Sequence, residues 1–482
     1  MTTTTPGTAT PRATPASPLV VLATLGASLG GFMFGYDTAV VNGTVDAMKS
    51  EFGIGNALVG TIVAAALFGA AVGAFSAGPI ADRLGRRPLM MLAGLLFVTT
   101  SLLSGFAHTG TVLALWRFVG GLGVGIASVV GPLYIAEIAP ARMRGRLASA
   151  QQMSIVLGIF AALVANAALV RAAGGADATL VSGLPAWRWM FLVAAAPSLL
   201  YVAAGLLLPE SPRYLVTRDK ESAAARVLER LHHITPAEAQ HDVEAIRSAL
   251  HKKRPAWSHL FAGPWRLKPI VWVGIAIAAL QALVGIDVIF YYSTSLWAQA
   301  GFGEEMAFWL SAFTSLINVV ATIVAITLID RVGRRRLLLA GSVGMTVSLA
   351  TMAVGFAQAT SSGDTVAFVA PWGAITLIAA NLFVASFAVT WGPVVWVLIG
   401  ELFPNLMRAR AASLAAAANW VAGIVVNLTF PTLRDLSLPG SYALYAAFAL
   451  ASIVVVATVL PETARRPLED MNEGATKPRE SS

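Results

Sequence analysis

The chain has 482 residues, of which 57% are hydrophobic and 12% charged, with a formal net charge of +8 and no cysteine. A soluble domain carries about a quarter charged residues, so this chain has too few to wet its own surface, and the solvent for most of it is lipid. The missing cysteines exclude disulfides, thiolate metal sites and cysteine nucleophiles, and basic residues spread between apolar runs read as a topology signal rather than a nucleic-acid surface.

Residues 1–17 open with MTTTTPGTATPR, a Thr/Pro/Ala-rich stretch expected to be a disordered cytoplasmic tail. It lacks the basic start and small-residue cleavage site of a secretory leader, so the first apolar run is expected to stay as a membrane span. A spanning helix needs about 20 apolar residues at a rise of 1.5 Å each. Runs of that length lie near 18–42, 57–80, 88–107, 111–138, 146–170 and 187–208, and again near 269–299, 305–330, 336–357, 368–401, 411–433 and 440–460. The pattern predicts an all-α membrane protein of twelve transmembrane helices. A six-helix bundle covers 18–208, a polar cytoplasmic linker 209–268, a second bundle 269–460, and a cytoplasmic tail 461–482.

Short loops on one side carry Arg83, Arg86 and Arg87, then Arg142, Arg144 and Arg146, then Arg331, Arg334, Arg335 and Arg336, then Arg408 and Arg410. The linker falls on the same side, whereas the other side receives Lys49, Arg171 and Arg434. Basic loops stay in the cytoplasm, so the first side is read as cytoplasmic, with both termini there and the bundle in the cytoplasmic (inner) membrane. Within the linker, 219–252 can form short amphipathic helices separated by Pro236. Its His232, His233, His241, His251 and His259 show no ligand spacing, and neither a metal nor a cofactor is expected.

The first span ends in GGFMFGYDTAVVNG, Gly30 to Gly43, and this stretch places Asp37 inside the membrane. A charge at that depth is costly and is usually kept for a task. The ionisable residues read as intramembrane are Asp37, Arg117 and Asp287, so a protonation switch must use a carboxylate. Asp37 lies about five residues before the outer end of its helix and Arg117 about six after the outer start of the fourth, which brings them to similar depth and predicts an ion pair. Protonation of Asp37 would release Arg117; the plainer alternative is a static buried pair. Gly120, Gly121, Gly123 and Gly125 follow Arg117 without a preceding strand, and read as close helix packing rather than a nucleotide loop.

The two bundles repeat each other. ADRLGRRP (Ala81 to Pro88) matches IDRVGRRR (Ile329 to Arg336), and EIAPARMRGR (Glu137 to Arg146) matches ELFPNLMRAR (Glu401 to Arg410) at the corresponding links. With GGFMFGYDTAVVNG, RFVGGLGVG (Arg117 to Gly125), PLYIAEIAPARMRG (Pro132 to Gly145), WRWMF (Trp187 to Phe191), PESPRYL (Pro209 to Leu215), TWGPVVWVLIGELFP (Thr390 to Pro404) and PETARRPLED (Pro461 to Asp470), these motifs make nearly the whole chain resemble the sugar porters of the major facilitator superfamily.

That resemblance implies two pseudo-symmetric six-helix bundles with a substrate site at midplane between them. It implies proton coupling at Asp37 and Arg117, since facilitative members carry Asn in place of that Asp. For the substrate it implicates Phe34, Gln152, Gln281, Asp287, Tyr291, Asn318, Trp391, Asn419 and Trp420, a set whose amides pair hydroxyls and whose aromatic faces cover C–H faces. Trp391, before Gly392 and Pro393, can instead simply pack beside a helix break, and Asn318 can be interhelical glue. A cytoplasmic gate is expected from Asp82, Arg86, Glu137, Arg144, Asp330, Arg334, Glu401 and Arg408, closed when the outside is open; plain topological anchoring is the alternative.

Asp287 departs from the family pattern. The seventh helix of the family usually reads QQxxGxN, and this chain has Gln281, Ala282 and Asp287. With Arg117 committed to Asp37, Asp287 is expected to lack a partner and to stay protonated as an imitation of Asn; a second proton site or a cationic or polyol substrate are the alternatives. The function expected is proton-coupled uptake of a monosaccharide, hexose or pentose, by a monomer in the lipid bilayer. A facilitative sugar or polyol/cyclitol carrier, or a non-transporting sugar sensor, are the alternatives. The resemblance gives a sensor a long tail, whereas only 462–482 follow Pro461. No nucleophile–base or metal constellation supports an enzyme.

Overall fold

The computed structural model describes residues 17–140, 144–250, 257–263, 266–299, 301–362, 365–368, 371–404, 407–460 and 462. The expected tails over 1–16 and 463–482, and His251, lie outside the described residues, as do the side chains of Arg144, His259, Asp330 and Arg408.

Twelve helices among the described residues are long and apolar enough to span a bilayer. In the first half they are Pro18–Gly43, Asn56–Leu84, Arg86–Gly105, Gly110–Ile138, Ser149–Ala173 and Ala186–Leu207. In the second they are Pro269–Ala298, Glu304–Ile329, Arg334–Ala357, Trp372–Leu402, Arg410–Leu436 and Leu438–Thr458. Each falls within a few residues of its apolar run, because helix length here is set by membrane thickness.

The halves are built alike. In the first, span one packs on span five, two on four, and three on six; in the second, seven packs on eleven, eight on ten, and nine on twelve. The halves meet along two seams, span two against eleven and span five against eight. Small residues allow the closest crossings: a methyl on Gly121 or Gly125 would overlap the carbonyls of Ala66 and Ala70 in span two, and one on Gly35 would overlap that of Ile155 in span five. The glycine run after Arg117 is thus a packing surface.

Three spans bend where the site lies. Span one finishes in a 3-10 turn, Val41–Gly43. Span seven breaks into Pro269–Leu283 and Ile286–Gln299 at Gly285, whose φ of +81° favours glycine. Span ten breaks at Thr390 into Trp372–Val389 and Trp391–Leu402, just before Gly392 and Pro393.

The linker folds as helices Pro212–Thr217, Glu221–His232 and Pro236–Leu250, with Pro236 at the start of the last, as its sequence predicts. Thr235 and Glu238 bond reciprocally in a capping box. The His232 ring pairs with the carbonyl of Ile138, which docks the linker under span four.

Candidate functional site

The midplane between the halves collects the charged and polar residues of the spans. Arg117 is buried, and its Nη1 lies 2.5 Å from Asp37 Oδ1. Its Nη2 donates to the Asp37 main-chain oxygen at 3.3 Å, and its Nε is buried without an acceptor. The Asp37 side chain keeps 20% of its surface exposed against 2% for Arg117. Water can therefore reach the acid but not the base, and the acid is the base's main partner.

Asp287 stands two residues after the break at Gly285, in the first turn of the outer half-helix. It does have a partner: Asn427 Nδ2 on span eleven donates to its Oδ2 at 3.3 Å. That amide also donates to the Gly423 carbonyl at 2.9 Å, and its own Oδ1 is buried without a donor. Tyr291, one helical turn on, is buried and feels the charges of both Asp287 and Asp37.

Gln281 and Asn419 serve each other. Asn419 Nδ2 donates to Gln281 Oε1 at 2.9 Å and to the Ala278 carbonyl at 2.8 Å. Gln281 Nε2 donates to the carbonyls of Trp391 and Gly392 at 3.0 and 3.2 Å, in the first turn after the break in span ten. Phe34 and Trp420, from opposite halves, face each other at 5.9 Å with both rings half-buried. Asn318 is buried and Gln152 half-buried; its neighbour Gln151 is buried, with neither polar side-chain atom partnered.

Trp391 is not brought to the cavity. Its ring has no exposed surface, and its Nε1 donates to the Leu338 carbonyl and Ser342 Oγ of span nine at 3.1 and 3.0 Å. The break turns this indole into the second half, where it packs as the packing alternative has it.

The ends of the bundle differ. At the end opposite the basic loops the halves are joined. Asn42 Nδ2 donates to Ser293 Oγ at 2.8 Å, and its Oδ1 accepts from Thr294 N at 2.9 Å. Ser295 Oγ donates to Asp46 at 3.0 Å, Asn56 Nδ2 to Asp435 at 2.5 Å, and Ala176 N to Glu304 at 2.9 Å. Arg188 of span six, missing from the intramembrane ionisable residues read in the sequence, is buried there and bonded to Glu51 at 2.5 Å.

At the basic end the motif residues pair inside each half. Arg86 makes a two-point contact with Glu137 at 2.9 and 2.8 Å, with Asp82 3.4 Å away. Arg334 does the same with Glu401 at 3.1 and 2.8 Å. Glu210 accepts from Arg86 N at 3.0 Å, and Glu462 from Arg334 N at 3.0 Å. These pairs are formed while the far end is sealed. A glycine at positive φ, Gly85 or Gly333, folds each arginine back into its own half. Of the expected gate residues, Arg86 with Asp82 and Glu137, and Arg334 with Glu401, thus form braces within a half.

Sequence reasoning missed Asn427, Asn42 and Ser293. Asn427 had a signal, since it lies eight residues after Asn419 on the same helix, a spacing that stays within one broad helix stripe. Among the described residues no cluster of His, Asp and Glu is placed to hold a metal ion.

Residues 23–475 match the family model described as "Sugar (and other) transporter". The chain is 45% identical over 447 residues to the "Glucose transport protein" of Synechocystis sp., covering 92% of this chain and 95% of that one. It is 31% identical to the "D-xylose-proton symporter" of Escherichia coli K12, covering 93% and 94%. The partially occluded inward-open structure of the E. coli xylose transporter XylE superposes with a TM-score of 0.80 at 30% identity, covering 93% of this chain and 99% of that one.

Proposed function

The chain belongs to the sugar transporter family, carriers of the major facilitator fold and not enzymes, and from that premise we propose that it is a secondary active carrier that takes up a monosaccharide, hexose or pentose, together with a proton. The observation that carries this is the Asp37–Arg117 pair: a buried guanidinium held mainly by one water-accessible carboxylate. A proton arriving from the open side neutralises Asp37 and weakens its hold on Arg117. Asp37 sits on the first span close to the Phe34–Trp420 contact between the halves, so its charge state bears on how the halves close over a sugar.

The sugar lies between the halves, against Phe34 and Trp420 and within reach of Gln152, Gln281, Asp287, Tyr291, Asn318 and Asn419. Occupied and protonated, the carrier rocks about the seams so that the far seal closes, as it is closed in this structure, and the basic end opens. The Arg86–Glu137 and Arg334–Glu401 braces keep each half rigid during the rocking. The basic loops support a cytoplasmic position for that end and for both termini.

The test is sugar uptake by proteoliposomes under an imposed pH gradient, with and without a protonophore. Accumulation should collapse with the protonophore and fall in Asp37→Asn, while the sugar still equilibrates down its own gradient. Full accumulation by Asp37→Asn would remove the pair from the coupling mechanism.

A further inference from the structure

The site contains two carboxylates and one available guanidinium. Arg117 is engaged by Asp37, and Arg188 by Glu51 at the far end. Asp287 receives only the neutral amide of Asn427 among the described residues. An acid in a low-dielectric site without a counter-ion is neutralised by a proton whenever water withdraws from it.

Its surroundings suit repeated loading and unloading. Asn427 has one hydrogen fixed on the Gly423 carbonyl, so its amide cannot turn over without losing that bond, and its other hydrogen stays on Asp287 Oδ2. This leaves Oδ1 as the oxygen free of that amide. Asp287 lies in the first turn of the half-helix Ile286–Gln299, whose positive end supports the charge when the proton leaves. The groups that feel this acid are Tyr291 on its own helix and Tyr445 on span twelve. Asp37 and Arg117 on spans one and four also act on Tyr291. Arg434, further along span eleven, donates to Ser295 Oγ at 3.4 Å.

We propose that Asp287 is a second proton-carrying site, so that each sugar crosses with two protons. This rests on the proton-coupled reading above. With the far side open, water delivers a proton to Oδ1 and a neutral carboxylic acid forms. With the basic side open, the O–H gives that proton back to water, and the half-helix end and Asn427 hold the restored carboxylate. No other bond changes.

The experiment uses the full chain in proteoliposomes with a gradient of about one pH unit and the membrane potential clamped at zero. The quantity read is the opposing sugar gradient at which net flux vanishes. Each coupled proton sets that gradient about tenfold higher. The wild type should balance near a hundredfold and Asp287→Asn near tenfold, with Asp287→Glu restoring the larger value. A wild-type balance near tenfold overturns the proposal, and this measurement decides even if the Asn variant does not fold. An Asp287→Asn balance equal to a hundredfold wild type overturns it too. The same reading on Asp37→Asn tests the first site separately: if that variant keeps the wild-type balance, the role given to Asp37 fails and the Asp287 result stands on its own.

Discussion

Asn42 on the first span grips the main chain of the seventh: its Oδ1 accepts from Thr294 N at 2.9 Å while its Nδ2 donates to Ser293 Oγ at 2.8 Å. Both bonds are buried and cross from one half to the other. They stand at the end opposite the basic loops, where any opening of that side must break them. Asn42→Ala removes both and leaves a buried N–H without a partner, costing the sealed state about 2 kcal/mol, or roughly 30-fold in population. Because the chain has no cysteine, a single cysteine introduced among the far-side residues reports that opening cleanly. Its labelling rate should rise in Asn42→Ala, and an unchanged rate would mean the seal is held elsewhere.

The motif braces make a prediction about stability instead. The side chains of Arg86 and Glu137 are 6% and 4% exposed, whereas that of Asp82, beside the same arginine, is 75% exposed. Removing one partner of a buried pair strands the other, so Glu137→Gln should cost about 3–5 kcal/mol. Asp82→Asn should cost less than about 1 kcal/mol. Melting of the purified variants in detergent checks this, and equal small losses would reduce the motif to a topology signal.

Much of this architecture is legible in the sequence because lipid imposes simple rules. A span must be long and apolar, so the helices could be placed to within a few residues. The depth of Asp37 and Arg117 follows from counting residues along those helices. What could not be read is the azimuth of a side chain on a helix apolar all round, where no hydrophobic stripe marks the inner face. For that reason the packing of Trp391 on span nine and the approach of Asn427 to Asp287 are not legible in the sequence. Which acid each motif arginine meets is likewise not readable, because it depends on the turns at Gly85 and Gly333.

Asp177 offers a pH test away from the membrane. It follows Ala176, whose N–H bonds Glu304 of the other half. Burial pushes the Asp177 carboxyl above the usual range, with the charges of Glu51 and Asp46 adding to the shift. An acid raised in the folded state holds its proton there after the unfolded chain has lost it, so its contribution to stability is present at low pH and is lost as pH rises through the native value. Asp177→Asn should therefore melt higher than the wild type near neutral pH. The difference should shrink as pH falls towards about 4, the ordinary aspartate range. A melting difference independent of pH would show that the substitution acts through packing alone.

Trp391 and Trp420 are both implicated by the family pattern, and the structure separates them. Trp391 is fully buried and bonded to Leu338 and Ser342. Truncation to Ala would leave a large cavity beside the helix break and cost about 3–5 kcal/mol of stability. Trp420 is half-buried and faces Phe34 across the halves at 5.9 Å, an arrangement that offers an aromatic surface to the C–H face of a sugar. Trp420→Ala should lose at least about 1 kcal/mol of binding, roughly five- to tenfold in apparent affinity, with a smaller change in melting. Sugar binding and melting measured on both variants distinguish the roles. If Trp391→Phe, which keeps an aromatic ring but loses the N–H and part of the volume, weakened binding while leaving melting unchanged, the indole of Trp391 would have to turn into the cavity in another state of the cycle.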